Sequence, residues 1–523
     1  MKRLILASLA AIAGFALVSC GGNNDKSVPA ATNTATITIH PDQAVNVIPD
    51  ELYGQFAEHL GSGIYGGIWV GKNSPIPNTD GYRNDVLEAL RELKVPVIRW
   101  PGGCFADYYH WEDGIGDNRP TMVNSSWGGT VENNSFGTHE FLNLCEMLGC
   151  EPYISGNVGS GSVQELANWV LYMTADGGKW ADLRAKNGRK EPWKVKYLGV
   201  GNESWGCGGQ MTPEYYAGEY RRYAEYCRDY GGNHLFKIAS GASDYDYEWT
   251  EVLMSGIGQQ MDGIGVHYYS TDFSKPSHGS ATDFDSDFYY WTVGKSMGIE
   301  PVIKKHIAIM DKYDPEGNIK LLIDEWGTWW DVEEGTNPGH LFQQNTMRDA
   351  IVASTTFDIF HKYTERLGMT NIAQMVNVLQ AMLLTKDDKM VKTPTYFVYK
   401  MYNTHRGNKY VPAEVKSDLL QREEGKLADV HAISSTTSIS DAGKLSISVT
   451  NVNLDNDVDV TVNLPASGKA FTAEILNSAD VKDYNSFDDP DKVGTAAFSS
   501  FSVDGSKLTF KIPAHSIVTF VEK

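Results

Sequence analysis

Between Tyr53 and Val376 the chain alternates short apolar stretches with longer segments of helical periodicity. The strand-like stretches are Tyr53–Leu60, Val97–Trp100, Glu151–Ser155, Tyr197–Glu203, Phe236–Ala242, Met261–Tyr268, Ile319–Glu325 and Thr370–Val376. Seven helical segments lie between them, and Thr395–Asn403 offers an eighth. A strand that returns through a helix must run parallel to its predecessor. Eight such units over about 350 residues predict a (β/α)₈ TIM barrel with insertions. Two of the strands carry the same ending. Tyr197–Glu203 leads into Gly201-Asn202-Glu203-Ser204-Trp205, and Leu321-Leu322-Ile323 runs into Asp324-Glu325-Trp326. The polar groups Glu58, His59, Arg99, Asn202, Glu203, His267 and Glu325 gather at strand C-terminal ends. That is the face where barrel enzymes keep their chemistry.

After about Arg406 the pattern changes to short alternating strands with Gly, Asn, Asp and Pro turns. This predicts a C-terminal antiparallel β-sandwich, jelly-roll-like, over 407–523, with a strand from 37–50 joining it. The barrel is expected over 51–406. At the N-terminus Met1-Lys2-Arg3 precedes the apolar run Leu4–Val18 and then Ser19-Cys20. The run is too short for a membrane span and has the size of a signal-peptide core. Its end resembles a bacterial lipobox, which implies a signal peptide over 1–20 and lipid attachment at Cys20. The polar stretch 21–36 reads as a flexible tether. The expected location is therefore periplasmic, or anchored to the outer membrane of a Gram-negative bacterium, with the lipid as the only membrane attachment.

The net charge of −21 argues against nucleic acid as a partner, which needs a basic face. Thirteen Trp and 27 Tyr suit a sugar binder as well as they suit a large core. The cysteines beyond Cys20 (Cys104, Cys145, Cys150, Cys207 and Cys227) show no CxxC or zinc-type spacing, and no HExxH is present. No metal and no cofactor is expected for the chemistry.

Two glutamates facing each other across a barrel mouth suit glycoside hydrolysis. One carboxyl protonates the leaving oxygen, while the other attacks the anomeric carbon or activates water. Gly201-Asn202-Glu203 is similar to the acid/base motif of the clan of barrel glycosidases whose glutamates end strands four and seven. Further stretches resemble glycoside hydrolase family 51, the α-L-arabinofuranosidases. They are Phe56-Ala57-Glu58-His59-Leu60-Gly61, Arg99-Trp100-Pro101-Gly102-Gly103, Trp111-Glu112-Asp113-Gly114-Ile115-Gly116, Asp324-Glu325-Trp326, the run Asn371 to Ala381, and Thr393-Pro394-Thr395-Tyr396.

The resemblance implies a retaining exo-enzyme that releases terminal arabinofuranose from arabinan, arabinoxylan or their oligosaccharides. In it Glu203 would be the acid/base and Glu325 the nucleophile, with the carboxyls about 5 Å apart. Asn202 would bind the sugar 2-hydroxyl, and Glu58 and Gln380 other hydroxyls. Tyr269 would support the nucleophile, His267 would sit beside the acid/base, and Arg99 would keep Glu325 ionised. Read without the family, Arg99 is a structural ion pair, His267 a satisfied core histidine and Gln380 a helix-start residue. Trp205 and Trp326, with Trp329 and Trp330, are candidate sugar platforms or core. The family also implies a homo-oligomer, often a hexamer. Many members carry Asn where this chain has Cys104, a poor hydrogen-bonding substitute at the sugar. Cys207 also falls at the mouth, and the sequence leaves open whether the two pair. The alternatives are an endo-β-1,4-glucanase or β-xylosidase on the same scaffold, and a non-catalytic glycan-binding protein of the cell surface.

Overall fold

The computed structural model describes residues 31–422 and 424–523. Its centre is a closed parallel barrel whose strands are Gly54–Phe56, Val97–Trp100, Glu151–Gly156, Tyr197–Val200, Phe236–Ser243, Gly263–Ser270, Lys320–Thr328 and Leu367–Ile372. All eight expected stretches are there, in the expected cyclic order. The signal peptide and the proposed lipid-bearing Cys20 lie outside the described residues. Among the described residues no helix is long and apolar enough to cross a membrane.

Because side chains alternate along a strand, residues two apart share a face. Val97, Tyr153, Tyr197, Ile238, Leu322 and Met369 form an apolar layer that fills the lower barrel. One step higher on two of these strands the inward residues are Arg99 and Asp324, both buried. The barrel thus changes from apolar to charged on approaching its C-terminal mouth.

Strict alternation would turn Glu325 away from the interior that Asp324 faces. The seventh strand avoids this with a bulge. From Leu322 to Glu325 it advances three residues while its neighbour advances two, from Gly265 to His267. Against the other neighbour, Ile323 to Trp326 spans Thr370 to Ile372. The extra residue re-aims the strand, as bulges beside active sites do, so that Asp324 and Glu325 both face the barrel interior, Glu325 at the mouth and Asp324 just below it. Gly265 belongs to the same device: a Cβ there would lie 2.5 Å from an Asp324 carboxylate oxygen.

The sandwich pairs a five-stranded sheet with a six-stranded one around its own core, which includes Ile37, Ile447, Val460, Phe510 and Phe520. The N-terminal strand, Thr34–Ile39, lies in the five-stranded sheet, parallel to Val458–Asn463 and antiparallel to Ala413–Lys416. It starts three residues earlier than the sequence suggests, because Thr34 and Ala35 already pair with Asp459 and Val460. Every residue of the helix Met347–Phe360 is buried. Toward the sandwich it offers polar groups with partners there: Asp358 accepts from Ser434 at 2.6 Å and Ser354 accepts from Thr450 at 3.1 Å. Two helices escaped the sequence reading, Lys179–Lys186 and Ser286–Met297. The second buries Thr292, Gly294, Lys295 and Ser296 beside Tyr289 and Val293, so no apolar stripe marks it.

Candidate active site

At the mouth, residues from seven strand ends line a pocket of about 380 Å³. Its walls include Phe56, Glu58, Gly103, Cys104, Trp127, Glu203, Trp205, His267, Tyr269, Glu325, Trp329 and Gln374.

Glu325 is 5% exposed and held by two donors. Arg99 Nη1 donates to Oε1 at 2.7 Å, and the Tyr269 hydroxyl donates to Oε2 at 2.8 Å. Arg99 also reaches the Asp324 carboxylate at 3.9 Å and donates to the Asn202 carboxamide oxygen. Asp324 accepts a hydrogen bond from the Tyr153 hydroxyl at 2.8 Å. Burial raises its carboxyl pKa, but His267 above all, with Arg99 and Tyr153, holds it below the usual range.

Glu203 follows the fourth strand by three residues and takes a left-handed backbone, φ +39°. For a non-glycine residue that is a strained conformation, of the kind found at functional sites. Its Oε1 lies 2.8 Å from His267 Nδ1, and the same nitrogen is 3.4 Å from Glu325 Oε2. His267 Nε2 is 3.5 Å from Asp324. Burial alone would pull the imidazole pKa down, but Glu325, Asp324 and Glu203 more than offset it and push it up to about 10. His267 thus sits among three acidic side chains that favour its charged form. A Glu203 oxygen and a Glu325 oxygen lie within 4.8 Å of each other.

Glu58 forms another wall. Its Oε1 accepts from the backbone N–H groups of Gly103 and Phe105 and from Trp127 Nε1, at 3.1, 3.0 and 2.9 Å. Its Oε2 accepts from Gln374 at 3.0 Å. Burial nevertheless pushes the carboxyl up to about 7, against the Phe105 N–H and helped by the charge of Glu325. The Pro-Gly-Gly motif is explained here: a Cβ on Gly102 would lie 2.7 Å from Glu58 Cγ, and one on Gly103 2.9 Å from Glu325 Oε1.

The raised Glu58 pKa has a measurable consequence. A carboxyl that binds its proton more tightly when folded adds stability below its unfolded pKa and loses it as pH rises through about 7. Glu58→Gln removes that titration. The melting temperature of the variant relative to wild type should therefore rise between pH 5 and pH 8, by about 3 °C for a shift of this size. A difference independent of pH would contradict the raised pKa.

The structure brings Glu58, Arg99, Cys104, Asn202, Glu203, Trp205, His267, Tyr269 and Glu325 to one mouth, and it corrects two expectations. Gln380 does not line the pocket. It is fully buried, accepts from the Thr328 N–H at 2.9 Å and donates to the Asp349 carbonyl and the Thr395 hydroxyl. The glutamine at the pocket is Gln374. Trp326 is core, stacked edge-on against Phe357 and Phe360, and Trp330 is equally buried. Trp205 and Trp329 do line the pocket. Cys104 and Cys207 form a disulfide, with Cα atoms 5.5 Å apart. Trp127, Gln374, Asp324 and Tyr153 were missed; a strand-end pattern points to none of them except Asp324, the neighbour of Glu325.

The comparisons agree with this geometry. Residues 89–286 match the α-L-arabinofuranosidase 1 domain, and residues 324–516 match the α-L-arabinofuranosidase C-terminal domain. A protein of Bacteroides ovatus, the intracellular exo-α-L-arabinofuranosidase, is 59% identical over 94% of this chain and 96% of its own length. The solved structure of the GH51 arabinofuranosidase of Xanthomonas axonopodis pv. citri shares 45% identity, with a TM-score of 0.91, covering 94% of this chain and all of that one. That of the Thermotoga maritima α-L-arabinofuranosidase with arabinose shares 30%, with a TM-score of 0.82 and the same coverage.

The Bacteroides relative overturns one expectation. It is named an intracellular enzyme, so the exported periplasmic or outer-membrane location read from residues 1–20 does not stand. A basic start and an apolar run are a compositional signal, and composition alone does not decide export. With its barrel, its paired glutamates and these relatives, the chain belongs to glycoside hydrolase family 51, the α-L-arabinofuranosidases.

Proposed function

We propose that the protein is an exo-acting α-L-arabinofuranosidase that works by double displacement with retention of configuration. The Bacteroides ovatus relative carries the exo activity in its name. The observation behind retention is the distance between the glutamates, whose oxygens lie within 4.8 Å. Retaining enzymes hold their carboxyls about 5–5.5 Å apart, while inverting ones need about 6.5–9.5 Å to admit a water.

Charge decides which glutamate does what. Glu203, Asp324 and Glu325 face two bases, Arg99 and His267. Two carboxylates are balanced, and the third is where the leaving group's proton travels. Glu325 is held by Arg99 and a tyrosine hydroxyl, and so is Asp324. Among the three, Glu203 is the one left to carry the proton. Its side chain is also the most exposed, at 19% against 7% and 5%.

In the first step Glu325 attacks the anomeric carbon and Glu203 protonates the departing oxygen. In the second, Glu203 takes a proton from water, and that water releases arabinose from Glu325. Glu58, Asn202 and Gln374 would position sugar hydroxyls, and Trp127, Trp205 and Trp329 would give apolar contact. We propose arabinan or arabinoxylan oligosaccharides as substrates and the cytoplasm as the place of action.

Digestion of a branched arabinan oligosaccharide, followed in time by chromatography, tests the exo reading. Free arabinose should be the first and only small product. Early appearance of shortened internal oligosaccharides would favour an endo-acting enzyme and overturn it.

A further inference from the structure

We infer that reduction of Cys104 and Cys207 opens a site for one thiophilic divalent cation, built from both sulfurs and the Glu203 carboxylate, and that filling it stops turnover. The inhibition, though not the binding, rests on the reading of Glu203 as acid/base.

The backbone on each side is anchored without help from the disulfide. Cys104 is flanked by Gly103 and Phe105, whose N–H groups both donate to Glu58. Cys207 sits in a turn closed by the Gly206 and Gly208 N–H groups, which both donate to the Glu203 carbonyl at 2.7 and 3.0 Å. Cleaving the sulfur–sulfur bond therefore leaves both side chains facing Glu203.

The sulfur-to-oxygen distances suit a tetrahedral metal. Glu203 Oε2 is 3.4 Å from Cys207 Sγ and 3.9 Å from Cys104 Sγ. A cation with bonds of about 2.3 Å to sulfur and about 2.1 Å to oxygen places tetrahedral S and O ligands about 3.6 Å apart. One donor atom from each of the three residues lies within 4.8 Å of the others. His267 engages the other Glu203 oxygen, Oε1, so Oε2 is left for the cation. The fourth position would open into the pocket, toward the departing oxygen. Soft thiolates select zinc or cadmium over magnesium or calcium. The disulfide form lacks these thiolates and cannot bind in this way.

The chemistry balances with a phosphine as reductant. The phosphine takes oxygen from one water and becomes the phosphine oxide, while the water's two protons end on the two sulfurs. Metal binding then releases both thiol protons to solvent. The bound cation occupies the Oε2 lone pairs, and Glu203 neither delivers a proton to the leaving group nor takes one from water in the second step, the step that limits an aryl substrate.

The test uses the full chain with and without a phosphine reductant, titrated with cadmium chloride. Thiol titration should show two more reactive thiols after reduction. Reduced enzyme should develop an ultraviolet cadmium–thiolate absorption and lose at least about tenfold in turnover of 4-nitrophenyl α-L-arabinofuranoside, since acid/base catalysis of this kind contributes 10²–10⁴-fold. A chelator should reverse both effects. Oxidised enzyme should show neither, and reduced Cys207→Ser should show a weaker absorption. If the serine variant does not fold, wild type alkylated with iodoacetamide after reduction replaces it and should be cadmium-blind. No gain of thiols, no absorption, or equal inhibition of both redox forms would overturn the proposal. The absorption is read without turnover, so its presence beside an inactive enzyme would implicate the functional reading and leave the metal site standing.

Discussion

Glu325→Ala should lower kcat/KM on every arabinofuranoside by about 10⁵-fold, or ~7 kcal/mol of barrier. The size follows from what surrounds this carboxylate. Arg99 and Tyr269 each spend a direct hydrogen bond on it, and Asp324 shares the arginine. In the variant this preorganised field has nothing to act on, and no other carboxylate is placed to attack. Asp324 is the nearest in sequence, but Tyr153 and Arg99 hold it below the mouth and it does not line the pocket. The fold should persist, because a bulge inside a closed barrel is fixed by backbone pairing on both sides. Steady-state kinetics with circular dichroism would check this. Residual activity above about a hundredth of wild type would mean that another group attacks the sugar.

The second large effect is at Glu203, and its signature is a dependence on the leaving group. Glu203→Ala should cost about 10³-fold on oligosaccharides, whose alkoxide leaving groups need a proton. An aryl arabinoside with a good leaving group needs little help, so its first step should survive and the glycosyl-enzyme should accumulate. Azide should then speed turnover by attacking that intermediate, giving the α-L-arabinofuranosyl azide. Absence of rescue, or an equal loss on both substrate types, would remove Glu203 from the acid/base role.

Much of this was legible in the chain itself. The eight barrel strands were visible because each is a short apolar-rich run next to a helical segment, and five of them carry polar groups near the C-terminal end, as a barrel mouth demands. Val97–Trp100 agrees with the sequence reading to the residue. Glu203 and Glu325 stood out for the same reason. Gln374 did not, because the segment after the last strand does not follow a strand's alternation. Asn377 and Leu379 take positive φ there, so spacing no longer says which glutamine faces inward. Gln380 was the plausible choice, but it is spent on bonding Thr328, Asp349 and Thr395. Trp127 lies between the short strands Met122–Val123 and Val131–Glu132, far in sequence from Glu58, and only tertiary packing joins them. The bulge was hidden too, since a strand read alone does not show what its neighbours' registers are. The Cys104–Cys207 bond depends on two loops folding over one carboxylate, a long-range event that spacing does not encode.

The central claim is that Glu325 attacks and Glu203 assists across a gap too short for a water. Proton NMR of 4-nitrophenyl α-L-arabinofuranoside during the first turnovers reads this directly, before the released sugar mutarotates. The first-formed product should be α-L-arabinofuranose, with configuration retained. Appearance of the β anomer first would mean a single displacement by water, and would contradict the assignment of Glu325 as nucleophile.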